Sequence, residues 1–333
     1  MRIVDRAWPR SVGVDAAELA ELEFFAGSAV DALKPLAELL SPLDAAAGDV
    51  LMRQREPADW FLLLGSGGGE IRHAGEDGES VVAHLRPGTV VGEIALLRGT
   101  ARSATVVATE PLRGWAGGWD AFTAMLEIPG ASEALVWTAR QRLATFVTPI
   151  PVRLRDGTEF HLRPLLPGDR QRLARLSPRT VYRRFLGVPS KRMITYLFEL
   201  DYLDHFAWAL TDGADGLVVA DARFIRHVDE PDSAELAFTV GDDYQGRGIG
   251  TLLMEALAVS ARADGVRRFT ASVLADNYAM RNILNRYGVR WASDGPGVVV
   301  TALDVPHVRE LSLSSEVSRR VRIATRQVIQ ALC

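Results

Sequence analysis

The chain has 333 residues, 48% hydrophobic and 24% charged, and its 38 basic against 42 acidic side chains leave a net charge of −4. At about 150 residues per domain this length predicts two domains, and the charge balance excludes a strongly basic nucleic-acid binder and an acidic disordered tail. A lone cysteine, Cys333, cannot form an intrachain disulfide or anchor a Cys/His cage, and no apolar run nears a bilayer span, so no metal and no membrane are expected and a cytoplasmic location is.

In chain order, residues 15–40 read as helix. Asp15 is the N-cap, Glu18 stands three residues on, and Leu19, Leu22, Phe25, Leu33, Leu36 and Leu40 recur at helical spacing, with a break at Gly27-Ser28. Between Val50 and Trp115, short apolar runs such as Trp60-Phe61-Leu62-Leu63-Leu64 alternate with glycine turns, the texture of a β-sandwich or barrel. Residues 119–146 return to helix. Thr148-Pro149-Ile150-Pro151 fixes an extended path and is expected to lie in a linker over 147–157. Beyond it, strands are expected at 160–164, 206–210, 216–224, 234–240, 269–274 and 298–303. Helices are expected at 248–262, 278–287 and 314–332. The fold class is therefore α+β with two domains: a β core with flanking helices over 15–146, then a mixed α/β domain over 158–305, followed by a helical segment over 306–333.

The first chemical constellation is Gly92-Glu93-Ile94-Ala95-Leu96-Leu97, followed by Arg102-Ser103-Ala104-Thr105-Val106. A carboxylate can accept a ribose hydroxyl proton, and an arginine offers paired donors to phosphate oxygens. Over residues 15 to about 145 this pattern resembles the phosphate-binding cassette of cyclic-nucleotide-binding domains, a jelly-roll β-barrel fold. The resemblance implies that Glu93 holds the ribose 2′-hydroxyl, Arg102 the cyclic phosphate, and the turn Gly92-Glu93-Ile94-Ala95 backbone contacts. It places Ser103 toward phosphate or base, and serine there goes with cAMP. Two positions depart from the family pattern: Ala101 stands where it has proline and Arg55 where it has glycine. Trp137 and Arg140, on the helix after the barrel, are candidates for capping the base.

The second constellation is Gln245-Gly246-Arg247-Gly248-Ile249-Gly250-Thr251, which joins a strand to a helix with Ile249, Leu252, Leu253, Ala256 and Leu257 on one face. Free amides at a glycine-rich helix start suit a pyrophosphate. The spacing is neither the dinucleotide G-x-G-x-x-G nor a P-loop. Placed so, Q-G-R-G-I-G resembles the GNAT acetyltransferase superfamily over roughly 158–305. The resemblance implies that acetyl-CoA binds at these amides and that the Asn277 position contacts the pantetheine arm. Attack of a protonated amine on a thioester needs a proton acceptor. Glu235, on the strand before the loop, is the expected base, with Asp221 and His205 as alternatives.

The segments Tyr182-Arg183-Arg184-Phe185 and Asp201 to Phe206 resemble the substrate side of protein lysine acetyltransferases. The whole order of domains resembles the mycobacterial-type cAMP-regulated protein lysine acetyltransferases. That implies lysines of proteins such as acyl-CoA synthetases as acceptors, and no nucleic-acid partner. Readings that remain open are a small-amine acetyltransferase under cyclic-nucleotide control and a non-catalytic cAMP-dependent regulator. The Arg-rich segment 168–203 is where GNAT proteins carry substrate-covering helices. The resembling enzymes place a lid histidine in the acceptor site, but no histidine lies between His161 and His205 here. Either an arginine, Arg175 first, reaches Glu235 as a cationic plug, or the off state is weak and cAMP stimulates only a few-fold.

Overall fold

A computed structural model describes residues 14–75 and 78–329, and its internal contacts divide the chain after Phe146 into two compact units. Met1 to Asp5 and Cys333 lie outside the described residues.

The first unit opens with α1 (Ala16–Ala20). The Asp15 carboxylate accepts the Ala17 amide at 2.9 Å, the expected cap. Gly27, at φ 87, separates a 3-10 turn over Glu23–Phe25 from α2 (Val30–Leu39). Then come β1 (Ser41–Ala45), β2 (Val50–Met52), β3 (Trp60–Ser66), β4 (Gly69–Gly75), β5 (Gly78–Leu85) and β6 (Val90–Val91). The unit continues with α3 (Glu93–Arg98), β7 (Thr105–Ala108), β8 (Leu112–Gly118), α4 (Trp119–Leu126) and α5 (Ala131–Thr145). The strands form two antiparallel sheets of four, ordered β1-β8-β3-β6 and β2-β7-β4-β5. β1 was not anticipated. Its sequence Ser-Pro-Leu-Asp-Ala lacks β formers, and proline is tolerated because the strand is an edge. The central β3 is buried from Trp60 to Leu64. Phe61 and Leu63 join Leu33, Leu36, Phe122 and Met125 of the helices in one core, which is why that run does not alternate. The expected helix 119–146 is two helices, parted where Gly130 takes φ 80.

The second unit is built on one eight-stranded sheet: β9 (Ile150–Arg153), β10 (Glu159–Pro164), β11 (His205–Thr211), β12 (Val218–Arg226), β13 (Ser233–Val240), β14 (Arg268–Leu274), β15 (Ala292–Ser293) and β16 (Val298–Asp304). Its order is β15-β16-β14-β13-β12-β11-β10-β9. Between strands stand α6 (Pro178–Phe185), α7 (Lys191–Tyr196), α8 (Ile249–Ala263) and α9 (Tyr278–Asn285), and α10 (Ser315–Val328) follows the sheet. The stretch read as linker is corrected in its middle. Ile150–Arg153 is extended as the prolines require, but Ile150 and Val152 are buried and the segment pairs with β10. Pro151, with no amide to donate, fits because β9 is an edge.

Among the named strands of this sheet only β13 and β14 run parallel, and they pair over just Ser233–Glu235 against Arg268–Thr270. Beyond Glu235 and Thr270 the strands part, which opens a cleft in the sheet immediately after Glu235. α8 covers one face of the sheet, and the Trp208 indole donates to Ser260 of α8 at 2.9 Å. Ser260 and Thr325 of α10 share a hydrogen bond of 2.8 Å, which ties the C-terminal helix to the same core. Among the described residues, no helix is long and apolar enough to cross a membrane, and no group of three potential metal ligands occurs.

Candidate active site and nucleotide pocket

In the first unit, Gly92, Glu93, Ile94, Ala95, Arg102 and Ser103 line a small cavity of about 30 Å³. Gly92 takes φ 91, and a Cβ there would stand 2.6 Å from the Arg102 guanidinium, so this position needs glycine on two counts. Arg102 is buried. It donates to the Gly92 carbonyl at 3.1 Å and to the Trp60 carbonyl at 2.6 Å, and its guanidinium lies over the Trp60 ring at 5.5 Å. Glu93 is 1% exposed and pairs with Arg142 of α5 at 2.5 Å. The cavity itself is water-sized, but a buried carboxylate and an oriented guanidinium on its wall are the groups that a ribose hydroxyl and a phosphate require.

The base-capping candidates stand elsewhere. Trp137 is 44% exposed, Arg140 is buried, and neither lines the cavity. The residues of α5 that do are Arg142 and Phe146, the latter just past its end, and the Phe146 ring stacks on His73 of β4 at 4.9 Å. Sequence reasoning missed both. The available signal was that a buried Glu93 needs a cation, and that Arg142 and Phe146 are spaced by one helical turn. Arg55 occupies the left-handed region at φ 72 in an exposed turn, and its amide donates to the Arg102 carbonyl at 2.8 Å. The arginine thus adopts a backbone conformation that favours glycine and projects outward.

In the second unit, Gly246 and Gly248 take φ 76 and 87 with nothing within 4 Å of a Cβ built on either. The Ile249 and Gly250 amides at the start of α8 have no intrahelical partner, whereas the Thr251 amide donates to the Gly248 carbonyl at 3.1 Å. An open, left-handed loop leading into unpaired amides fits a pyrophosphate. Gly250 differs: a Cβ there would stand 2.5 Å from the end of the Ile283 side chain of α9, so a larger residue would have to displace that side chain. The Arg247 side chain is directed to the loop before β10. It bonds Asp156 at 2.8 Å and Thr158 at 2.5 Å, and Thr158 and Arg247 together hold the Asp156 carboxyl down at about 2. The Gln245 amide donates to the Val240 carbonyl at 3.1 Å and to Asp242 at 3.2 Å, so this side chain shapes the loop. The Asn277 carboxamide oxygen caps α9 through the Met280 amide at 3.3 Å.

Glu235 is exposed, opposite Ile225 on β12 and Thr270 on β14. Cross-strand register puts Glu235, Ala237 and Thr239 on one face with Asp221, Arg223 and Ile225, and with His205 of β11. The alternative bases on this face are otherwise committed. Asp221 is buried in an ion pair of 2.5 Å with Arg223. Burial and the neighbouring Arg223 push His205 down to about 3, so the ring is neutral near pH 7 and too weak a base to serve there. Arg223 also donates to the Leu197 carbonyl at 2.6 Å, and Tyr196 stacks on His205 at 5.0 Å, so the end of α7 is pinned to this cluster.

α6 packs over β13 and β14. Its cap Ser177 and its Thr180 both bond Asp242 at the head of the glycine loop, Thr180 at 2.6 Å, which lowers the Asp242 carboxyl. The expected plug, Arg175, is exposed, and its side chain makes no hydrogen bond or ion pair among the described residues. Arg184 on α6 lies over the site instead. It donates to Thr239 at 3.2 Å and feels the charges of Asp221 and Glu235. Burial, with Arg223 nearby, lowers it to about 10, so it stays cationic at neutral pH. The choice of Arg175 rested on position along the chain, whereas α6 turns Arg184 inward.

A cyclic nucleotide-binding domain is matched over residues 42–128 and an acetyltransferase (GNAT) domain over 159–290. The chain is 52% identical over 325 residues to Acetyltransferase Pat of Mycolicibacterium smegmatis, covering 96% of this chain and 98% of that one. The solved structure titled cAMP-binding acyltransferase from Mycobacterium smegmatis superposes with a TM-score of 0.52 at 50% identity, covering 96% of this chain and 97% of that one. An acetyltransferase of Pseudomonas aeruginosa is 35% identical over 139 residues, 39% of this chain and 74% of its own. The chain therefore belongs to the acetyltransferases that carry a cyclic-nucleotide-binding domain ahead of a GNAT domain.

Proposed function

We propose that the protein is a cytoplasmic enzyme that transfers the acetyl group of acetyl-CoA to lysine ε-amines of other proteins, acyl-CoA synthetases among them, under control of cAMP bound in the first unit. The observation that carries this reading is the placement of Glu235 where β13 and β14 part, on the face away from α8 and in line with the glycine loop. Acetyl-CoA supplies an activated thioester carbonyl. The amides from Arg247 to Thr251 hold its pyrophosphate, and Asn277 the arm beyond. Glu235, being exposed, is open to an incoming ammonium and accepts its proton, directly or through water. The β13 amides past Glu235 that face away from β12, no longer paired with β14, polarise the carbonyl in this reading. Glu93 and Arg102 receive the ribose and phosphate of cAMP, with Ser103 alongside. Arg184 takes the place expected for Arg175, a resident cation beside the carboxylate that the acceptor ammonium must approach. The experiment is Glu235→Gln with a lysine-containing protein acceptor. Turnover should fall by about 10²–10⁴ while acetyl-CoA binding measured by calorimetry persists. Unchanged turnover at neutral pH would remove Glu235 as the base.

A further inference from the structure

Where β14 begins and β16 ends, the second unit carries a groove of about 1410 Å³ that the reaction as described does not use. Arg262, Arg267, Arg268, Arg286 and Arg290 line it, drawn from the end of α8, the start of β14 and the turn after α9. Arg262 donates to the Val305 carbonyl at 2.7 Å. The side chains of the other four make no hydrogen bond or ion pair among the described residues, and all four are exposed. Glu255, Asp304 and Glu310 line the same groove, Asp304 opposite Arg268 across the ladder, so the five arginines leave a net positive lining, and an anionic partner relieves the remaining repulsion. One arginine of its wall, Arg268, also stands on the sheet face that carries Glu235. Arg268 is in register with Ser233, and Thr270, two residues on, with Glu235, so Arg268 and Glu235 stand on one sheet face about 7 Å apart along the strands.

We infer that this groove docks the acceptor, binding a protein whose surface beside the target lysine is rich in Asp and Glu. The inference rests on the reading above that Glu235 receives a protein lysine. Arginine suits the task because its planar fork pairs carboxylates with two parallel bonds. It also lacks a nucleophilic amine, so it is not itself an acetyl acceptor beside the reaction face. A nucleic acid fits less well. The same groove carries Glu255, Asp304 and Glu310, which oppose a uniformly anionic backbone, and the whole chain is net negative at −4.

Two labelled lysine peptides test this, identical except that one carries Asp and Glu after the lysine and the other Asn and Gln. With the full chain, acetyl-CoA and cAMP, kcat/KM should be about tenfold higher for the acidic peptide at low salt and converge at high salt. The pair Arg267→Glu and Arg290→Glu should abolish or invert that preference while the neutral peptide reacts as before. Should that pair fail to fold, Arg267→Gln with Arg290→Gln should reduce the preference several-fold. Equal kcat/KM for both peptides in the wild type, or a preference that survives charge reversal, overturns the proposal. So does capture of a DNA oligonucleotide at physiological salt that charge reversal abolishes while the peptides react alike. Acetylation of a small amine with neither peptide modified would remove the protein-acceptor reading itself, and the groove's role with it.

Discussion

At the scale of single residues, the second unit keeps a histidine neutral. His205 is 3% exposed, lies against Arg223, and is held at about 3 against an ordinary value of 6.5. The shift is downward, so above 6.5 the folded and unfolded chains both hold a neutral ring and nothing is lost. As pH falls below 6.5 the unfolded chain takes a proton that the folded one refuses, and stability declines until the pH reaches the folded value. The slope for one such group is about 1.4 kcal/mol per pH unit, so between pH 7 and 5 the second unit should lose on the order of 2 kcal/mol. His205→Gln removes the titration. Calorimetric melts of this variant should show a smaller loss over that range than the wild type, and an identical loss would mean that the buried ring is not the titrating group. Glu93 illustrates the opposite arrangement: a carboxylate just as buried has a cation, Arg142, against it at 2.5 Å.

At the scale of elements, α6 connects the glycine loop proposed to hold the acetyl donor to Glu235, the proposed base. Its first turn is tied to Asp242 through Ser177 and Thr180, and its last turn sets Arg184 over Thr239. None of its residues is fully buried, so the helix is held by these polar contacts more than by a core. Such elements open at lower free energy than the sheet beneath them. Removing the arginine should make the acceptor site accessible without a signal. Arg184→Ala is therefore expected to raise acetylation in the absence of cAMP and to shrink the stimulation by cAMP, whereas Arg175→Ala should change neither. Steady-state rates with and without cAMP decide it. A silent Arg184→Ala enzyme that cAMP still activates would show that this guanidinium does not block the site.

At the scale of the whole molecule, two compact units with separate cores should melt separately unless ligands couple them. Scanning calorimetry should resolve two transitions. At a hundredfold excess over its dissociation constant, cAMP should stabilise the first by about 2.7 kcal/mol, and acetyl-CoA should do the same for the second. Any displacement of the second transition by cAMP measures the free energy through which the nucleotide controls the acetyltransferase. A first transition indifferent to cAMP would contradict the assignment of Glu93 and Arg102.

What the sequence determined by itself was local. The turn at Gly92 and the loop from Gly246 to Gly250 are runs of neighbours whose glycines, at φ 91, 76 and 87 where the backbone is left-handed, specify their own path. The cap at Asp15 and the helical stripe of α8 were legible for the same reason, since each depends on residues within a turn or two. The two domains followed from the change of apolar period along the chain. Tertiary structure alone decided which distant side chains meet. Arg142 reaches Glu93 across 49 residues, and Arg184 reaches Thr239 across 55. Both pairings depend on how a helix is rotated and seated on its sheet, and that is set by the packing of every other apolar residue in the unit. The same packing buried Asp221 and His205 against Arg223 and left Glu235 exposed at the parting of two strands, a distinction that alternation along a single strand does not contain.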